Sequence, residues 1–191
     1  MLKYWLFLKY LIRHKYYVFM ECVHMGIAWR GVIHDLSKLI PGEFIAYARY
    51  YYENRICSQR TDDLIETDNS QYYITWLIHQ KRNRHHWQWW VLHGDDDNNP
   101  QALPMADKYV KEMVADWRGA GRAQGEPDTI AWYQSHKGRM VLHPSTRIRV
   151  EQLLYAKPSP GLERGYQTWP MGKVYRGESQ PGYAVEAKST G

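Results

Sequence analysis

In stretch after stretch of this chain, apolar residues recur every three or four positions, and no alternating apolar–polar run of useful length appears. A period near 3.6 buries one face of a helix, whereas a half-buried strand needs a period of two. The pattern therefore restricts the chain to an all-α fold. Residues 2–25 read as the first helix, with Leu8, Leu11, Ile12, Tyr16 and Phe19 on its apolar stripe and Gly26 at its end. A second helix runs from about Ala28 through Val32, Ile33 and Leu36 to Leu39, where Pro41 breaks it. Further helices are predicted over 43–53, about 70–92, Ala106 to Trp117 (stopping before Gly119 and Gly121), 128–138 and 144–155. Residues 57–69 and 95–100 read as loops. After Ala156 the period is lost, and residues 157–191 are rich in Pro, Gly, Ser and isolated aromatics. The chain thus divides into a helical domain over 1–156 and an irregular C-terminal arm over 157–191.

A chain of 191 residues suits one domain with a substantial core. With 44% hydrophobic and 24% charged residues it is expected to fold rather than stay disordered. Nine Trp and sixteen Tyr against three Phe supply large side chains with a polar handle, suited equally to cores, interfaces and wet pocket walls. The net charge of +5 attracts phosphate-bearing partners weakly, and without a concentrated basic face it gives no nucleic-acid signature. Cys22 and Cys57 make no close pair, which argues against a disulfide framework, zinc-finger or thioredoxin chemistry. A reducing, cytoplasmic compartment is expected. The apolar N-terminal stretch is interrupted by Lys3, Lys9 and Arg13 and is too short to span a bilayer, so it reads as an amphipathic helix and no membrane span is expected. Neither a Gly-x-Ser-x-Gly elbow nor a Gly-rich phosphate loop is present.

The chemistry lies in the histidines. His79, His85, His86 and His93 fall in the predicted helix 70–92 and its edge, where His79, Asn83 and His86, spaced i, i+4, i+7, share one face. His85 and His93 lie off that face. His34-Asp35 sits in the apolar run Gly31-Val32-Ile33-His34-Asp35-Leu36, and a buried Asp is costly unless paired or bound to a cation. Lys38, three residues on, is either its salt-bridge partner or a phosphate-holding group beside a metal. Asp116 lies near the end of its predicted helix, where the helix dipole disfavours a carboxylate without a positive partner, and Glu112 precedes it by one turn. His14 is a polar residue in the middle of the apolar first helix. The order His14, His34-Asp35, His79, His86, Asp116 spreads imidazoles and carboxylates over four helices, with no sulfur among them. This donor set suits a divalent ion such as Mn, Fe, Co, Ni, Mg or Zn at a catalytic site better than a closed structural zinc.

The order His, then His-Asp, then a distant Asp resembles the HD superfamily of metal-dependent phosphohydrolases. The chain also resembles an uncharacterised family of small bacterial and phage proteins. The resembling segments are Arg13-His14-Lys15, Trp29 to Leu39, Pro41-Gly42-Glu43-Phe44, Trp76-Leu77-Ile78-His79-Gln80, Asn83-Arg84-His85-His86-Trp87 and Met113-Val114-Ala115-Asp116-Trp117. The HD resemblance implies an HD-like helical bundle with His14, His34, Asp35 and Asp116 as metal ligands, with His24 competing for the first place. It implies catalytic roles for Asp35, Lys38, His79 and His86, the two histidines binding a second metal or phosphate. Lys38, Asn83, Arg82 and Arg84 are then candidates to hold phosphate, although both arginines also read as solvated surface charges. Trp76, Trp87 and Trp90 read either as a stacking platform for a nucleobase or as core. The implied activity is hydrolysis of a nucleotide or another small phosphoester, in a bacterial cell or phage-infected host. The alternative is a non-catalytic assembly protein whose aromatic arm, 157–191, contacts partners or further copies of the chain.

Overall fold

A computed structural model of the chain describes residues 1–58, 69–94 and 99–156, and over 53–58 it describes the backbone alone. The arm over 157–191 and most of the predicted loops at 57–69 and 95–100 lie outside the described residues. Within them the fold is all-α: α1 (Leu2–His24), α2 (Ala28–Ile33), α3 (Pro41–Ser58), α4 (Ser70–Arg82), α5 (Asp107–Gln124), α6 (Thr129–His136) and α7 (Pro144–Tyr155). Short 3-10 turns occupy Leu36–Leu39, Trp87–Trp90 and Lys137–Arg139. A single antiparallel pair, β1 (Val91–Leu92) and β2 (Gln101–Ala102), is too short to register as a sequence pattern.

α1 is the spine, packing most extensively on α5 and then on α2 and α3. Its buried face is Phe7, Leu11, His14, Tyr17, Val18, Glu21 and Cys22. The expected stripe through Ile12 and Tyr16 is rotated outward, and both residues are exposed. The true buried face carries His14 and Glu21 among its apolar residues, a mixture that hydropathy alone does not recognise. Glu21 is neutralised from α5, by Arg118 at 3.2 Å and by Arg122, and Arg118 also donates to the Leu153 carbonyl at 2.8 Å. That cluster ties α1, α5 and α7 together.

α5 runs through Gly119 and Gly121 rather than stopping before them. At Gly119 a Cβ would stand 2.5 Å from Val18 Cγ2 and 2.8 Å from the Val18 backbone nitrogen, so glycine allows α1 and α5 to approach closely. Gly121 lets the Glu126 backbone fold back, its amide donating to the Gly121 carbonyl at 2.8 Å. Gly125, at φ +85°, ends the helix in the left-handed conformation. Besides the small seam of Val18, Cys22 and Ala115 between α1 and α5, two larger apolar lobes lie among the described residues. One joins Phe7, Tyr47, Ala48 and Tyr72 from α1, α3 and α4, and the other joins Tyr109, Val110, Met113, Val114, Tyr133, Val150 and Leu154 from α5, α6 and α7. No helix among the described residues is long and apolar enough to cross a membrane.

Candidate metal centre

The centre begins at a break in the chain. The predicted helix from Ala28 to Leu39 stops at Ile33, where His34 takes φ −52°, ψ 128° and Asp35 takes φ 52°, ψ 25°. The left-handed region costs an ordinary L-residue about 1–2 kcal/mol, but Asp visits it more readily. The Lys15 ammonium donates to the carbonyls of Val32 and His34, at 2.8 Å each, and so satisfies the broken end of α2. Consecutive residues in a helix project about 100° apart. The break instead sends His34 and Asp35 into one centre, both buried.

A second break brings in the remaining imidazoles. The predicted helix 70–92 ends at Arg82 because Asn83 leaves helical conformation, its amide donating to the His79 carbonyl at 3.0 Å and to Ser37 Oγ at 3.1 Å. The chain turns there, and His85 enters the centre with 1% of its surface exposed. The helical register that placed His79, Asn83 and His86 on one face therefore does not persist. His86 reaches the cluster from the turn, its ring 4.9 Å from that of His79 and 4.2 Å from that of His85. Asp116 lies in the body of α5, so its partners are His14 and His34 rather than anything at a helix end.

The donor atoms point inward without partners. Nε2 of His14, His34, His79, His85 and His86 and both Asp35 carboxylate oxygens are buried with no hydrogen bond among the described residues. Meanwhile the outer nitrogens of three rings meet carboxylates. His34 Nδ1 and His85 Nδ1 lie 3.2 and 3.3 Å from Glu112 Oε1, and His79 Nδ1 lies 2.9 Å from Glu43 Oε2. A carboxylate acceptor fixes the proton on Nδ1, leaving the Nε2 lone pair for a ligand, as in carboxylate–histidine–metal triads. Each carboxylate is gripped in turn by an arginine, Glu112 by Arg30 at 2.6 and 2.7 Å and Glu43 by Arg82 at 2.8 Å.

The spacing of the inward atoms suits an ion. From His34 Nε2, Asp35 Oδ2 and Asp116 Oδ1 are both 3.4 Å away, and from His14 Nε2 they are 3.8 and 3.3 Å away. On the other side, His79 Nε2 and His85 Nε2 each lie 3.3 Å from Asp35 Oδ1. Donors bound to one metal at about 2.0–2.1 Å stand roughly 3.0–3.4 Å apart. Two groups follow, each with donor atoms within 4.8 Å of one another: His14, His34, Asp35 and Asp116, and Asp35, His79, His85 and His86. Asp35 belongs to both, one oxygen turned to each. A third group, His34, His85 and Glu112, is equally compact, but Arg30 already occupies Glu112, which makes it a support for the two histidines rather than a ligand.

The electrostatics agree with a site built for positive charge. Burial alone disfavours ionised carboxylates, yet His34, Lys38 and His79 hold Asp35 well below the usual range, and His14 and His34 do the same for Asp116. Glu112 is likewise held down, to about 2, by His34 and His85 against the effect of burial. Burial pulls the His34 imidazolium down, but Asp35, Asp116 and Glu112 outweigh it and raise its pKa to about 9. His14 and His85 are also raised against burial by their carboxylate neighbours. His86 goes the other way, held neutral by burial and by His85 and His79. Without an ion, the raised pKa values of His14, His34 and His85 let their protons balance the carboxylates.

The other expected residues are distributed around this centre. Lys38 Nζ lies 2.6 Å from Asp35 Oδ2. Asn83 is engaged with Ser37 and the end of α4, Arg82 with Glu43, and Arg84 stacks over Trp89 at 4.8 Å. These three support the shell and do not converge on the donor atoms. His24 and His93 are exposed and belong to none of the groups. Trp76 stacks on His79 at 5.7 Å, whereas Trp87 and Trp90 pack against the apolar lobe of α5. Cys22 is buried against α5, its thiol pushed up to about 12 chiefly by burial, and takes no part. Sequence reading missed His85, because helical continuation put it off the face. It also missed the supporting roles of Glu43, Glu112, Arg30 and Lys15, which depend on contacts between elements.

Comparison with curated proteins and with solved structures returns no match. A family model described as a family of unknown function, DUF5662, matches residues 3–156, the whole of the helical domain and every residue of the centre. The chain belongs to the DUF5662 family.

Proposed function

We propose that this protein is a divalent-metal-dependent phosphohydrolase acting on a nucleotide or another small phosphoester. The observation that carries the reading is the inward convergence of five imidazole Nε2 atoms, buried and without hydrogen-bond partners among the described residues, around the buried Asp35 carboxylate, which is ion-paired with Lys38. Leaving such groups unsatisfied costs roughly 1–3 kcal/mol each. An ion held by His14, His34, Asp35 and Asp116, with a second at Asp35, His79, His85 and His86, relieves them. The order of these residues, which resembles that of HD phosphohydrolases, and the sulfur-free donor set support hydrolysis in particular. When bound, such an ion supplies Lewis acidity toward a phosphoryl oxygen and acidifies a water.

The chain's own residues supply the rest. Glu112 and Glu43 keep His34, His85 and His79 in the tautomer that offers Nε2. The Lys38 ammonium is a fixed positive charge beside Asp35, suited to offset charge on a phosphoryl group. Asp116 and Lys38, with side chains 15% and 13% exposed against 2% for Asp35, mark the side from which substrate approaches.

The test is elemental analysis of protein purified without chelator, beside Asp35→Asn and Asp116→Ala; Asn is chosen because it tolerates the left-handed backbone at position 35. One or two equivalents of Mn, Fe, Co, Ni or Zn per chain are expected, all lost in Asp35→Asn and one lost in Asp116→Ala, and added Mg or Mn raising the melting temperature covers a weakly held ion. The metal-loaded protein is then expected to release phosphate from one member of a nucleotide and phosphoester panel. Metal without release from any member sinks the hydrolase reading and favours a non-catalytic role. No metal by either route sinks the centre itself.

A further inference from the structure

Tyr47 is unusual among the buried tyrosines near the centre. Its side chain is 2% exposed, and its hydroxyl makes no hydrogen bond among the described residues. Tyr51 and Tyr72, in the same aromatic cluster, bond each other through their hydroxyls at 3.2 Å. The Tyr47 ring is packed from several directions: by Phe7 at 6.0 Å, by Tyr72 at 5.8 Å and edge-on by His79 at 5.9 Å. Lys38 Nζ sits over the same ring, 5.6 Å from its centroid, while contacting Asp35. Lys38 over its face and His79 against its edge place the Tyr47 ring where the aromatic cluster meets the centre. Tyr10, stacked on His14 at 5.9 Å, faces the same ammonium.

A buried hydroxyl without a partner costs stability, and replacing it by hydrogen in the same ring is nearly neutral or favourable. Its presence in an otherwise satisfied aromatic cluster points to a ligand. A ligand that accepts a hydrogen bond and carries negative charge suits the position, because the Lys38 ammonium lies over the same ring. A phenol is protonated at neutral pH, so the hydroxyl is able to donate.

On the phosphohydrolase reading, which this inference deepens, we propose that the Tyr47 hydroxyl and the Lys38 ammonium form an oxyanion subsite that holds a non-bridging oxygen of the substrate's phosphoryl group. Asp35 and Asp116 repel such an anion in the metal-free protein, and Asp35 also occupies Lys38. The subsite therefore binds only when ions neutralise those carboxylates. This dependence separates it from surface attraction, which needs no metal. It also makes Tyr47 a specificity residue: a substrate whose phosphoryl oxygens are replaced by groups that accept poorly loses the Tyr47 contact.

The experiment is titration of the full-length protein with inorganic phosphate by calorimetry, with saturating Mn²⁺ and again in chelator, for wild type, Tyr47→Phe and Tyr51→Phe. Phosphate is expected to bind the Mn²⁺-loaded wild type and not the chelated protein. Tyr47→Phe is expected to weaken binding about tenfold, as loss of one hydrogen bond to a charged group implies, and Tyr51→Phe to leave it unchanged. Melting in chelator gives a second readout: Tyr47→Phe should melt no lower than wild type, since it removes an unsatisfied group. Equal phosphate affinity in wild type and Tyr47→Phe overturns the subsite while leaving the phosphohydrolase reading intact. A Tyr47→Phe protein that melts well below wild type overturns it too, by giving the hydroxyl a structural bond. Absence of phosphate binding to the Mn²⁺-loaded wild type overturns the reading on which the subsite rests.

Discussion

Glu112 shows at the scale of one residue how the centre is held. Its carboxylate accepts from two imidazoles and is locked by Arg30, which also stacks over Tyr109 at 4.7 Å. Both histidines share Oε1 while Arg30 takes Oε2, so the amide nitrogen of a Gln in its place faces either the two histidines or Arg30, and the counter-charge to Arg30 is lost in both cases. Outer-shell partners of this kind typically contribute 10–100-fold to metal affinity. Glu112→Gln should therefore weaken metal binding by about that factor in competition with a chromophoric chelator. Unchanged affinity would mean that Nδ1 protonation on His34 and His85 does not depend on it. Individual ligands were legible at this scale in their own way. His14, His34, Asp35 and Asp116 each interrupt an apolar helical run, and a polar residue on a buried face needs a reason to be there. Glu112 gave no such signal, since a glutamate one turn from an aspartate also reads as surface.

The elements were legible in number and order, much less in where they end. Helix existence follows from local periodicity, but two ends here are set by side chains from elsewhere: Asn83 reaching Ser37, and Lys15 capping α2. The sequence signal for the first was present in Arg-His-His-Trp-Gln-Trp-Trp after Asn83, a run of mediocre helix formers after a residue favoured at helix ends. Reading the glycines of α5 as terminators failed for a tertiary reason. Gly119 exists to admit Val18, and helix propensity knows nothing of α1. The two considerations make opposite forecasts for Gly119→Ala. Propensity favours the alanine by about 1 kcal/mol, whereas overpacking against a neighbouring helix backbone costs about 1–3 kcal/mol or more. The contact at 2.8 Å to the Val18 backbone nitrogen cannot be relieved by a rotamer change, so the variant should unfold at lower urea than wild type. A higher midpoint would show that α1 and α5 separate at little cost.

For the molecule as a whole, the paired charges predict that an ion offsets the loss of stability at high pH. In chelator, His34, raised from 6.5 to about 9, contributes stability that is complete below 6.5 and lost as pH climbs to 9. Glu112, lowered from 4.5 to about 2, contributes stability that is complete above 4.5 and lost as pH falls toward 2. The metal-free protein should thus melt highest between about pH 4.5 and 6.5 and progressively lower above that. A divalent ion must displace the imidazole protons, so its stabilising increment grows over the interval in which the metal-free protein weakens. Melting curves at pH 6, 7, 8 and 9, with and without Mn²⁺, should diverge as pH rises; parallel curves would separate the ion from these histidines. The breaks at His34-Asp35 and after Arg82 carry one more consequence, for the protein as it is made. The donors span residues 14 to 116, and the first group is closed only by Asp116 in α5. A chain emerging from the ribosome presents His14, His34 and Asp35 long before their closing partner, and His79, His85 and His86 before Glu112 can orient two of the imidazoles. An ion that met the growing chain would find a loose partial set, where intrinsic affinity for nitrogen ligands favours copper and nickel. An ion held by the first group would be selected by geometry only once Asp116 in α5 has joined the other three donors.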